Sequence, residues 1–469
     1  MRVYDYVIKL ENINNIYIIF YEKITKNMMK RIIIVLLLLI VSGNIYCQKL
    51  SPEHIANSVY FWFTSGRFEK IEEQWDKSII EEAKITNLAE QLEEVWEQLV
   101  IQNGNFENIS EYAEIDTTNT ANGIQMIRNI VFENDSVALS VNVNKDNLIV
   151  GLFVIPAIII NYKDANYVDT SKFEEFDIAF GENDDITGKI TIPKNISKNK
   201  KVSCVVLVHG SGASDFDETI YGRKPFRDIA FGLSTNNIAV LRYNKRTYLD
   251  KIKDINNFTI DEESVDDAVD AVYFIKNKYS DKIDKIYVLG HSQGGYVMPR
   301  IAKKSKIAAG FISVAGNVRP LPELMKEQYE YLADVFGLEK EYLSDLMKPC
   351  DLILSGNFTK DTPESELLNI PAVYWLDLKN YNPLQEFKNE KRPILFIQCE
   401  RDYQVTMTDF NLWKKDLSKN KNVKFILIDG LNHLMQEGEG RSVPGEYKEP
   451  KNVNQKVIDN ITKWLLTNK

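Results

Sequence analysis

"KIYVLGHSQGGYVMPRIAKK", residues 285–304, decides the fold. It begins as an apolar run, breaks at three glycines and continues through Pro299 into Ile301, Ala302 and two lysines, so it reads as strand, sharp turn and helix. Inside the turn, Gly290, Ser292 and Gly294 match G-x-S-x-G, in which a strained strand-to-helix elbow lifts a serine hydroxyl clear of a sheet. The same five residues also fit a plain glycine-rich bend. The rest of the chain has to separate these readings.

From about residue 172 the sequence repeats strand, loop and helix. The runs "VSCVVLVHG", "NIAVLRYN", "KIYVLGH", "IAAGFISVAG", "PILFIQC" and "VKFILID" are mostly apolar on both faces, as central parallel strands are. A helix is expected over about 260–279, opened by a capping box of Thr259 and Glu262 and carrying Val265, Val269, Val272 and Ile275 on one face. The fold class is therefore α/β, a mostly parallel sheet with helices on both faces. Residues 318–390 interrupt the rhythm with a long helical pattern rich in Leu, Tyr, Glu and Lys, which reads as a helical cap inserted at a strand's carboxyl end. A small α+β domain, 48–158, comes first, followed by a linker at 159–171 and the catalytic domain at 172–469. In the small domain, Ile55, Val59 and Trp62, then Phe68, Ile71 and Trp75, then Leu88, Leu92, Val95, Trp96 and Leu99 recur at helical spacing. Three strand-like runs, "IQMIRNIVF", the alternating Val137, Leu139, Val141 and Val143, and "NLIVGLFVIP", follow as a meander.

A serine needs a base, and the chain has only four histidines. His54 belongs to the small domain, His209 precedes another strand's loop, and His291 sits in the elbow. His433 remains, last in chain order as hydrolases with this elbow require, one short loop beyond "VKFILI". The acid that orients it should also leave a strand end. Asp402, after "PILFIQCER", is preferred over Asp429, four residues before His433 in its own loop, and over Asp377 in the cap. Two backbone N–H groups are needed for an oxyanion, and "LVHGSGASD" offers that of Ser211 while the elbow offers that of Gln293.

The remaining features bound the protein's setting. "MMKRIIIVLLLLIVSGNIYCQ" has basic Lys30 and Arg31, an apolar core over Ile32 to Val41 and a polar exit, which is an export signal, with translation expected to start at Met28 or Met29. Cleavage after Cys47 is favoured; an uncleaved anchor or a lipidated Cys47 are the alternatives. Removing residues 1–47 takes away six basic and three acidic side chains and moves the charge from −10 to −13. An acidic body argues against a nucleic-acid partner. Cys204, Cys350 and Cys399 are odd in number and widely spaced, so no disulfide framework is expected. Asp215 and Asp217 start like a calcium loop, but the twelfth position is Phe226 and no metal is expected. No phosphate loop, zinc motif or dinucleotide fingerprint is present, so no cofactor is expected.

With "HGSG", "GHSQGG", "ERDYQVT" and "LNHLM" in this order, and with "KPFRDIAFGL", "AVLRYNKRT", "FTIDEESVDDA" and "YWLDLKNYNP" in support, the chain over about 172–467 resembles bacterial α/β-hydrolases of the EstD-type carboxylesterase group, related to serine aminopeptidase-like hydrolases. The resemblance implies the alpha/beta-hydrolase fold and a serine esterase with Ser292, Asp402 and His433 as its triad. Residues in the first domain resemble the small α+β accessory domain fused to such enzymes. Two positions depart from the pattern: Cys399 stands where a glycine is common three residues before the acid, and Phe216 stands where an arginine is expected. The expected activity is hydrolysis of short-chain acyl esters, small molecules. A serine aminopeptidase of short peptides and a noncatalytic ligand-binding protein of the same fold are the alternatives.

Overall fold

A computed structural model describes residues 51–468 apart from 83–84, 110–117, 121–122, 158–161, 197–198, 250 and 338–342. The export signal and Cys47 lie outside the described residues. Helices Pro52–Thr64, Phe68–Gln74, Lys77–Glu82 and Leu88–Asn103 come first. The five-stranded antiparallel sheet that follows runs β1 (Phe106–Ile109), β3 (Gly123–Phe132), β4 (Ser136–Asn144) and β5 (Ile149–Pro156) in spatial order, with β2 (Thr118–Thr120) paired to β3. Ile55, Val59, Phe68 and Ile71, read from their helical spacing, pack with Phe63 on alternate residues of β3 and β4, among them Ile130, Leu139 and Val141, and close a core of their own; Trp62, read with them, is only partly buried against it. Trp75 does not continue the second helix as its spacing suggested. Its backbone turns extended (ψ 148°) and bridges to Ile149 of β5. Val95 is exposed rather than part of the apolar face.

The second sheet has eight strands: β6 (Phe173–Phe180), β7 (Ile186–Pro193), β8 (Val202–Val208), β9 (Ala239–Tyr243), β10 (Ile283–His291), β11 (Gly310–Val314), β12 (Ile394–Cys399) and β13 (Val423–Ile428). Their spatial order is β13-β12-β11-β10-β8-β9-β7-β6, parallel from β13 to β9 and antiparallel through β7 and β6. All seven residues of β8 are buried, and neighbours along it face opposite ways: Cys204, Val206 and Val208 join one core, Val205 and Leu207 the other. Helices Pro225–Thr235 and Gln455–Thr467 cover the second face, while the helix ending at Lys278 and Met298–Lys304 cover the first. Between β11 and β12 come helices Leu321–Phe336, Leu343–Ser355, Ala372–Leu378 and Pro383–Phe387, where the cap was expected.

The helix before β10 starts differently from its expected capping box. Asp261–Val265 forms a π turn leading into the α-helix Asp266–Lys278, and no side chain caps it. Glu262 instead accepts from the Lys253 amide at 2.7 Å, outside the helix. The chain leaves β8 toward β9 on one side and returns through β10 on the other. Strand order therefore reverses at β8, and the crevice beyond the carboxyl ends of β8 and β10 is where such a sheet holds a ligand.

Candidate active site

Ser292 follows β10 directly and stands at φ 51°, ψ −117°, a backbone conformation that L-residues rarely adopt. Its amide donates to Val314 O of the neighbouring strand (2.9 Å) and its carbonyl accepts from Gly295 N (2.8 Å), which over-determine the turn. The motif glycines are there for close approach. A Cβ on Gly290 would lie 2.2 Å from Gly294 O, and one on Gly294 would lie 2.3 Å from Val208 O. The bend is thus a strained elbow wedged between β8 and β10.

The loop after β8 lies against it. A Cβ on Gly210 would sit 3.3 Å from Ser292 Cβ, and Ser211, Ser292 and Gln293 line one cavity of about 260 Å³. His433 Nδ1 is 2.7 Å from Asp402 Oδ2, with both side chains buried. The other oxygen, Asp402 Oδ1, accepts from Gln404 N (2.8 Å) and Val405 N (2.9 Å), so this carboxylate is fixed on both sides. His433 lies beside the elbow: its ring centroid is 4.8 Å from that of His291, and its carbonyl faces His291 Nε2 at 3.0 Å. All five residues singled out from the sequence therefore gather at one sheet edge. The rivals do not. Asp429 is exposed, and Asp377 pairs with Arg300 at 2.6 Å on the cap side. His54 is exposed on the first helix.

The two departures also find their reasons. Cys399 ends β12 in extended backbone, is buried in the second core and accepts the Asp402 amide at 3.2 Å, so the turn needs no glycine. Phe216 lies 5.6 Å from Arg242 and 5.5 Å from Lys189, with its ring against the sheet's cations. Asp215 binds Thr219, and Asp217 pairs with Arg242 and Lys224, so both carboxylates that looked like a calcium loop have protein donors.

Several residues near the site went unread in the sequence. His291 Nδ1 comes within 2.9 Å of Glu218 Oε2, an ion-pair contact that is not aligned as a hydrogen bond, while Glu218 Oε1 accepts from Gly210 N at 2.7 Å. Burial opposes protonation of His291, but the Glu218 carboxylate overrides it and raises the imidazole's pKa. Lys245, Glu263 and Tyr374 form a second buried group beside Gln293. The cap contributes Leu321, Leu324, Met325, Gln328 and Leu378 to the cavity. The one available signal was charge on an apolar helix face: Glu263 and Asp267, four apart, meet the successive Lys245 and Arg246.

The comparisons with known proteins agree with this architecture. The family model described as "Alpha/beta hydrolase family" matches residues 205–444. Esterase EstD of Thermotoga maritima is 40% identical over 336 residues, covering 71% of this chain and 78% of its own. The chain belongs to the alpha/beta hydrolase family. Among solved structures it is similar to a Pyrococcus furiosus esterase (18% identity, TM-score 0.40, 66% of this chain and 99% of that one). It is also similar to an acylaminoacyl peptidase of Pyrococcus horikoshii (14% identity, TM-score 0.43, 78% of this chain and 49% of that one). At these scores neither likeness bears on substrate or site.

Proposed function

We propose that this alpha/beta hydrolase is an exported serine esterase of short-chain acyl esters, working through Ser292, His433 and Asp402. The observation that carries the reading is the 2.7 Å His433–Asp402 pair, with the His433 ring 4.8 Å from that of His291 in the elbow whose strained Ser292 lines the cavity. Asp402 accepts from Nδ1–H and so leaves Nε2 as the basic nitrogen, which takes the Ser292 proton as Oγ attacks the ester carbonyl and returns it to the leaving alcohol. Water then attacks the acyl-enzyme by the same relay. The Ser211 and Gln293 amides face the developing oxyanion. The esterase named among the relatives, 40% identical, supports the ester as substrate.

The cavity lining favours the ester over a free peptide. Ile260, Leu321, Leu324, Met325, Leu378 and Val405 make its apolar part, and among the described residues that line it none is charged. An aminopeptidase needs a carboxylate to receive the substrate's ammonium group, since a desolvated charge without a partner is costly. The test is a rate comparison on acetyl, butyryl and longer nitrophenyl esters and on aminoacyl anilides. Short esters should dominate; faster anilide cleavage would move the assignment to the peptidase. Export rests on residues 28–47 and predicts a mature protein beginning at Gln48. An intact N-terminus or a diacylglycerol adduct on Cys47, seen by mass spectrometry, would contradict it.

A further inference from the structure

A buried ion pair stands directly behind the proposed oxyanion donors. Lys245, one residue from the start of the turn after β9, sends its ammonium to Gly210 O at 2.8 Å and to Glu263 Oε1 at 2.6 Å. The other oxygen, Glu263 Oε2, accepts from Gln293 Nε2 at 3.0 Å and from Tyr374 OH at 2.6 Å. Lys245 is 1% exposed, Tyr374 3%, and Glu263 and Gln293 6% each. Burying a charged pair is weak as a source of stability, because desolvation offsets the attraction and an apolar pair of the same shape does as well. Its position is more informative. Gly210 O and Ser211 N–H belong to one planar peptide unit and point in opposite directions, so an ammonium fixed on the carbonyl sets where the N–H points. It also polarises the amide, which strengthens that N–H as a donor to an anion. The same Glu263 carboxylate holds the side chain of Gln293, whose backbone N–H is the other donor, and Tyr374 of the cap, which lines the cavity with Ser211 and Gln293.

We propose that Lys245 and Glu263 are positioning residues for the oxyanion site: Lys245 orients the Gly210–Ser211 peptide, and Glu263 ties that peptide, Gln293 and the cap's Tyr374 into one unit. The assignment rests on the reading of Ser211 and Gln293 as oxyanion donors given above. Neither residue touches the substrate. Their effect is on the transition state, where the oxyanion forms, and not on binding of the planar ester.

The test uses full-length Lys245→Met, Glu263→Gln and the double variant, which leaves no unpaired buried charge and carries the experiment if either single variant fails to fold. On 4-nitrophenyl acetate the double variant should lose about 10- to 100-fold in kcat with KM within about threefold, less than the loss of a whole oxyanion donor. Affinity for a trifluoromethyl ketone, which forms a tetrahedral oxyanion adduct, should fall by a similar factor, and that for the corresponding planar methyl ketone should not. A cooperatively melting double variant that keeps kcat and trifluoromethyl ketone affinity within twofold overturns the proposal. So does a loss that appears equally in KM and planar-ketone binding, the mark of a merely misshapen pocket. Full turnover in Ser292→Ala would overturn the serine mechanism itself, which separates failure of that reading from failure of this one.

Discussion

Partners, more than burial, divide the work among the histidines. His209 and His433 are both buried, but Nε2 of His209 meets only the Asp215 carbonyl at 2.9 Å, whereas Nδ1 of His433 meets a carboxylate. Burial pushes the His209 pKa down to about 4. A folded pKa below the unfolded value of about 6.5 means that the unfolded chain takes up the proton first, so stability is lost as pH falls through that window. Relative to His209→Gln, the wild-type protein should lose about 2 kcal/mol between pH 7.5 and pH 5, read by denaturant unfolding. A constant difference across that range would remove His209 as a source of acid lability. For the acid, Asp402→Asn should lower kcat on the order of 10⁴-fold by unsettling the His433 tautomer, and Asp429→Asn should stay within about twofold. The reverse order would exchange the two roles. Elimination among four histidines and the strand-end rule made the His433–Asp402 pair readable from the sequence, as the glycine spacing did the turn at Ser292. Lys245, Glu263 and Tyr374 were not, because 129 positions of chain separate side chains that meet around a single carboxylate.

The central parallel strands were readable because their sequence is mostly apolar. β8, β11 and β12 throughout, and β10 from Ile286 onward, are buried and appear in the sequence as mostly apolar runs. β6, "FEEFDIAF", pairs only with β7 at the sheet's antiparallel edge and buries only Phe173, Ile178 and Phe180, so its charges masked it. The π turn at Asp261–Val265 was also hidden, since tertiary pairing of Glu263 with Lys245 and of Glu262 with the Lys253 amide overrides the capping-box pattern. The elbow is the opposite case, where local sequence and global packing agree. Gly290→Ala tests it: the new Cβ meets Gly294 O at 2.2 Å, and the backbone has to move. We expect destabilisation of about 1–3 kcal/mol and a kcat loss on the order of 10²-fold from displacement of Ser292. Unchanged melting and turnover would show that the close approach of Gly290 to Gly294 does not hold the elbow.

At the scale of the whole molecule, the hydrophobic cores divide where the sequence changes period. Buried residues from Ile55 to Ile149 form one cluster, and the two clusters on the faces of the eight-stranded sheet draw nothing from that segment. A separate core implies that the hydrolase sheet does not depend on the first domain for its own burial. A protein shortened to begin at Asn161 should therefore keep kcat on nitrophenyl acetate within about tenfold of the full chain; a cooperatively melting truncation without turnover would place part of the active site in residues 51–157. The cap explains why the substrate was less legible than the reaction. Its cavity side chains, such as Leu324, Met325 and Leu378, come from helices whose packing no local pattern specifies. The central claim is that a strained serine on the elbow carries the acyl group. The most direct test is kcat of full-length Ser292→Ala on 4-nitrophenyl acetate, with its fold verified by a cooperative melt. The account predicts a loss on the order of 10⁴-fold or more; a folded variant that retains turnover within tenfold of the wild type would contradict it.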